Sequence, residues 1–159
     1  MCAAALLALG VGEFGLAARA GILGRGSNVA QQADDATAEA VLHHSLPQIR
    51  DVESGLRRSA LSISESVGAG IPRLVHQSYA LGRRNVALLT VARSNLGQTD
   101  GEQVLLGGHT TYLANRTIAD GTTDVSYLWE FDGLSHTLHI DLVGGVSRAD
   151  ADRIAASVR

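Results

Sequence analysis

The sequence predicts an α+β fold: an antiparallel sheet of about five to six strands in meander order, with a C-terminal helix packed on it and helices before it. Three observations carry this expectation. After Pro72 the chain passes through short segments rich in Val, Thr, Tyr, Trp and Ile, each bounded by Gly, Asn or Asp, which is the pattern of strands separated by tight turns. Asp132-Gly133 joins two of these segments, and Asp-Gly is among the strongest local hairpin signals because both residues tolerate positive φ. At the end, Ser147 followed three residues later by Asp150 forms a capping box, and Ala151, Ile154, Ala155 and Val158 recur at helical spacing. A helix of that kind cannot bury its apolar face alone and must lie on the sheet.

From the N-terminus, three regions are expected. Residues 1–26 read as a signal peptide or membrane anchor: Ala3 to Ala18 is apolar apart from Glu13, and Ala18-Arg19-Ala20 places small residues where a signal peptidase reads. Cleavage there gives an extracytoplasmic, secreted protein; an uncleaved segment leaves it membrane-anchored. Residues 27–58 read as a helical linker region. Gly21 to Gln32 mixes glycine with small polar residues, Asp34 to His44 carries Ala36, Ala40 and Val41 at helical spacing, and Pro47 opens a second helix using Ile49, Val52 and Leu56 as its face.

Residues 59–159 form the α+β domain. Leu61 and Ile63 alternate with serines, a period of two. Leu74 to Leu81 and Val86 to Ala92 flank Gly82-Arg83-Arg84-Asn85, a hairpin loop. Gln103 to Leu106, His109 to Asn115, Val125 to Phe131 and His136 to Leu142 follow as strands, with a polar turn over Asn95 to Glu102.

Composition narrows the function. The formal net charge of −3 gives no basic footprint for nucleic acid. One cysteine, Cys2, rules out an intrachain disulfide or a thiolate cluster. Six histidines are present, but His136 and His139 lie three apart on a strand and face opposite sides, and His43 and His44 diverge on a helix, so no metal site is expected. No Gly-x-Ser-x-Gly elbow occurs, and Glu130, Asp132 and Asp141 read as strand edge and turn rather than an acid–base pair. No cofactor and no catalytic residue is expected. Parity places Tyr127, Trp129 and Phe131 on one side of a strand, either as a core-filling stripe or as a ligand or partner surface.

The runs Val104-Leu-Leu-Gly-Gly-His109, Leu128-Trp129-Glu130-Phe131-Asp132-Gly133-Leu134 and Ala151-Asp-Arg-Ile154-Ala155 resemble a bacterial family of extracytoplasmic domains. These domains are found in anti-sigma-factor-like membrane proteins and surface lipoproteins. The resemblance covers the C-terminal end of the chain best. It implies a curved antiparallel sheet with a helix against it and a non-catalytic sensing or binding role toward an unidentified ligand or protein partner. A structural or accessory interaction protein without a small ligand is the alternative, with a hydrolase behind both.

Overall fold

The structure is a computed structural model that describes residues 29–65, 73–93, 101–117, 123–142 and 146–159. The signal-peptide or anchor segment at residues 1–26 lies outside these, as does most of the polar turn after Asn95. Eight strands make one antiparallel sheet: β1 (Val29–Gln32), β2 (Arg57–Glu65), β3 (Leu74–Leu81), β4 (Arg84–Ala92), β5 (Glu102–Leu106), β6 (His109–Thr117), β7 (Thr123–Phe131) and β8 (Leu134–Asp141). Two helices accompany them, α1 (Asp35–Leu42) between β1 and β2 and α2 (Arg148–Ala156) after β8.

The antiparallel sheet and the capped C-terminal helix are as expected, but there are eight strands rather than five or six. The strand order is β1-β2-β3-β4-β8-β7-β6-β5. This is two four-stranded meanders set back to back, not one continuous meander, and β8 rather than β5 completes the pairing of β4. The β3–β4, β5–β6 and β7–β8 hairpins close through short turns from local contacts, whereas β1 reaches β2 only across the connection that carries α1. The join between halves is the non-local pair β4–β8, which aligns Leu89 with Leu138 and Val91 with His136.

Register separates two faces, because successive side chains alternate. On one face Leu61, Ile63, Val75, Tyr79, Leu89, Val91, Val125, Tyr127, Leu138 and Ile140 meet Ala38 and Leu42 of α1 and Ala151, Ile154 and Ala155 of α2 in a single buried cluster. The other face carries Ser62, Ser64, His76, Thr90, Ser126, Thr137 and His139, interspersed with apolar residues such as Leu88 and Leu128.

The helices follow local rules. Asp34 accepts from the Thr37 N–H at 2.8 Å and starts α1, which ends at His43 in the left-handed region (φ 52°). Ser147 and Asp150 complete the capping box of α2. Polar ties at the rim of the core then fix α2 to the sheet: the Tyr127 hydroxyl donates to Asp152 at 2.6 Å, and Arg148 donates to both Asp152 (3.0 Å) and Asn115 (2.8 Å).

The stretch expected to be a linker with two helices differs. Val29–Gln32 is the edge strand β1, paired with β2, and the second helix is absent. Backbone groups of Gln48 are spent on Arg159 (2.9 and 3.1 Å), Ile49 bridges to Val158, and Asp51 and Ser54 bond nearby backbone in a turn that ends at Gly55. Polar side chains that compete in this way divert a segment from helix. Val52, expected on an apolar helix face, is instead 91% exposed. A buried relay holds the segment on the sheet: the Ile49 N–H donates to the Tyr79 hydroxyl, which donates to Gln77, which donates to the Pro47 carbonyl.

Candidate functional site: a cleft at the β7–β8 hairpin

The predicted aromatic row spans from core to surface. Tyr127 is fully buried, Trp129 is 5% exposed and Phe131 is 51% exposed. Beyond Phe131 the chain turns through Asp132 (φ 53°) and Gly133 (φ 74°), the two positive φ values of a type I′ hairpin turn, which Asp-Gly accommodates.

At this hairpin end lies an open cleft of about 300 Å³, lined by Arg93, Glu130, Phe131, Asp132, Gly133, Leu134 and Ser135. Arg93 reaches it because β4 pairs with β8, so that Ala92 stands opposite Ser135. The cleft thus combines an exposed aromatic ring, one guanidinium and two carboxylates. Its acids are already engaged: Ser135 donates to Glu130 at 3.4 Å, and His44 Nε2 contacts Asp132 Oδ2 at 2.7 Å.

Three imidazoles surround the same hairpin from three different elements. The His109 ring, after the β5–β6 turn, tilts against Phe131 with centroids 4.4 Å apart. His136 stacks on Trp129 at 5.0 Å with the planes only 6° apart, is 3% exposed, and has no hydrogen-bond partner on Nδ1 among the described residues. Burial first, and nearby positive charge to a smaller extent, holds His136 neutral, down at about 4. His44 follows α1; its pKa is raised first by its hydrogen bond to the Ser45 carbonyl and then by Asp132.

On the opposite face a second polar group crosses β2, β3 and β4. Ser64 Oγ lies 2.6 Å from His76 Nε2, and His76 Nδ1 lies 3.0 Å from Thr90 Oγ1. Ser126 Oγ similarly approaches His139 Nδ1 at 2.7 Å. A serine beside an imidazole is the start of a nucleophile–base pair. Here burial holds His76 down at about 4, which makes it a weak base at neutral pH, and its second partner is a hydroxyl rather than a carboxylate. β3 and β4 are internal strands, so their backbone N–H groups serve the ladder. The arrangement satisfies buried polar groups across the strands.

The structure also separates the remaining sequence candidates. His136 faces the helices and His139 the other side, as the parity argument requires. Asp141 lies at the far end of β8 from Asp132 and pairs with Arg84 at 2.9 Å. Among the described residues no group of three or more His, Cys, Asp or Glu side chains is placed to hold a metal ion, and no helix is long and apolar enough to cross a membrane. Sequence reasoning did not find Arg93, His44 or His109 as members of the hairpin site. Nothing local marks them, because strand order and the return of α1 bring them there.

No family model, curated protein or solved structure matches the chain. Its class therefore rests on the fold and the site.

Proposed function

We propose that this chain is a non-catalytic, extracytoplasmic sensing or binding domain of a bacterial exported or membrane-anchored protein, with the β7–β8 hairpin cleft as its ligand surface. The observation that carries this reading is the placement of Phe131. A large aromatic ring is half exposed beside a cleft, while the residue behind it on the same face, Trp129, is locked in the core by its stack on His136. Concave sites with an apolar wall and a few polar groups are the usual form of small-ligand pockets, and a rigid support limits the entropy lost on binding.

Trp129 is the single tryptophan of the chain; it does not line the cleft but stands behind Phe131 on the same face, so it reports on the cleft through its neighbours. The test is a titration of the full-length protein, followed by Trp129 emission, against a panel of small carboxylates, amines and aromatic amino acids, repeated with Phe131→Ala. A saturable change that Phe131→Ala weakens supports the reading; a panel that gives neither an emission change nor a binding heat by calorimetry overturns the cleft as a small-ligand site. Fractionation of expressing cells with N-terminal sequencing tests the export part, since a cytoplasmic product with intact Met1 contradicts it.

A structural or interaction role is the second reading, and β5 favours it. This strand ends the sheet, and Leu105 on it is 73% exposed. Edge strands are where another chain can add. Leu105→Lys would then abolish a co-purifying partner and leave the cleft titration unchanged.

A further inference from the structure

The hairpin wall of the cleft is held by an imidazole from beyond α1. His44 uses both ring nitrogens: Nδ1 lies 2.9 Å from the Ser45 carbonyl oxygen and Nε2 lies 2.7 Å from an Asp132 carboxylate oxygen. A carbonyl and a carboxylate accept, so both contacts are satisfied together only when both nitrogens donate, which is the imidazolium. The arrangement also holds a fallback. Ser45 Oγ stands 3.3 Å from Nδ1, so on loss of the proton Nδ1 turns from donor to acceptor, takes the Ser45 hydroxyl and releases the carbonyl.

We propose that the end of α1 clasps the β7–β8 hairpin through a protonated His44 on Asp132, and that deprotonation loosens the hairpin wall of the cleft, making the site responsive to pH. This rests on the binding reading above for its purpose, though not for its mechanism. The clasp joins two backbone corners, since His44 follows the left-handed His43 and Asp132 is itself left-handed. Movement at either end changes the cleft, because Asp132 and Gly133 line it.

The charged and titratable groups around His44 set the sign. From the hairpin, Asp132 favours the imidazolium. On α1, the Glu39 carboxylate is held by the Leu46 N–H at 3.1 Å, and His43 is exposed beside it. From β6 and β8, His109 and His136 stand near the same hairpin, and burial keeps His136 neutral so that it adds no charge against His44. Across the cleft, Arg93 and Glu130 oppose one another in charge. The folded protein holds the His44 proton more tightly than the unfolded chain, so the clasp is a charged pair below about pH 6.5 and weakens to a neutral Nε2–H hydrogen bond on Asp132 as the pH rises through the folded value.

The experiment is NMR on the full-length, ligand-free protein with ¹³C,¹⁵N-labelled histidine, between pH 5 and 8.5. It reads His44 ring protonation together with amide exchange at Gly133 and Leu134, corrected for intrinsic base catalysis. The expected result is a His44 midpoint above 6.5 that falls in Asp132→Asn. Hairpin exchange should rise about two- to five-fold across that midpoint, the range for an exposed ion pair. Asn keeps the left-handed corner, so this variant separates the charge from the turn. In His44→Gln the exchange step should vanish. A wild-type His44 that titrates at or below 6.5, or a hairpin whose exchange profile is the same in His44→Gln, overturns the proposal. Neither outcome bears on whether ligands bind the cleft at fixed pH, so the two readings fail separately.

Discussion

Acid should destabilise this domain well above the pH at which its carboxylates protonate. Burial holds both His136 and His76 down at about 4, against an ordinary value of 6.5. In the unfolded chain each takes up a proton near 6.5, whereas in the folded protein each waits until about 4. Between those values the unfolded state binds more protons, so stability falls as the pH is lowered through this window. The fall from 6.5 to about 4, at 1.36 kcal/mol per pH unit, gives about 3 kcal/mol per histidine, and about 7 kcal/mol for the pair. That rivals the whole stability of a typical domain, roughly 5–15 kcal/mol. His44 acts in the opposite sense but is exposed to screening, and the lowered carboxyls of Asp34 and Asp150 lose stability only below the ordinary carboxylate value of 3.8. The assay is urea unfolding followed by far-UV circular dichroism, from pH 7.5 to 4.5. Down to pH 4.5 about 5 kcal/mol of this is lost, so with an m-value of about 2 kcal/mol per M the midpoint should drop by roughly 2.5 M. His136→Phe keeps a flat ring on Trp129, and His76→Gln keeps a donor and an acceptor for Ser64 and Thr90; each should remove about half of the slope. A midpoint that stays level down to pH 4.5, or a slope that survives both substitutions, would refute the argument.

Two further outcomes follow from the packing of α2. Tyr127→Phe removes the hydroxyl that donates to Asp152 while leaving the ring in the core, and should cost about 1.5 kcal/mol in a urea melt, the low end for a bond to a charged group, because Arg148 still neutralises Asp152. Gly107→Ala and Gly108→Ala form a matched pair: both glycines have positive φ, but a Cβ on Gly107 would stand 2.8 Å from the Ala156 carbonyl oxygen, whereas one on Gly108 meets nothing within 4 Å. Gly108→Ala should therefore cost only the backbone strain of about 1 kcal/mol, and Gly107→Ala clearly more, with equal thermal shifts arguing against the contact.

Much of the sheet was legible because its signals are local. The expected span Leu74 to Leu81 coincides with β3, the Asp132-Gly133 turn has the two positive φ values its residues favour, and Ser147 with Asp150 caps α2 as written in the sequence. Elements whose identity depends on distant partners were not legible. Val29–Gln32 is short and polar and becomes a strand only because β2 lies beside it. Ile49, Val52 and Leu56 have helical spacing, yet Ile49 finds Val158, more than a hundred residues away, and the helix is lost. At the site, periodicity correctly put Tyr127, Trp129 and Phe131 on one face. It could not grade their exposure, which depends on how far the helices extend over that face, and the result is a buried Tyr127, a nearly buried Trp129 and an open Phe131.

Strand order connects these points. In one continuous meander the last strand is an edge, its ladder open on one side, and a histidine there keeps access to water. Back-to-back meanders instead bring β8 inside, between β4 and β7. His136 then has Val91 on one flank and Trp129 on the other, so it loses its water and is held neutral. The same exchange of neighbours sets Ser135 opposite Ala92 and carries the next residue, Arg93, to the mouth of the hairpin cleft. With β5 beside β4, Arg93 would adjoin a different turn and the cleft would lack its cation. A single topological choice, the pairing of β4 with β8, thus determines both the electrostatics of the buried histidine and the composition of the surface site above it.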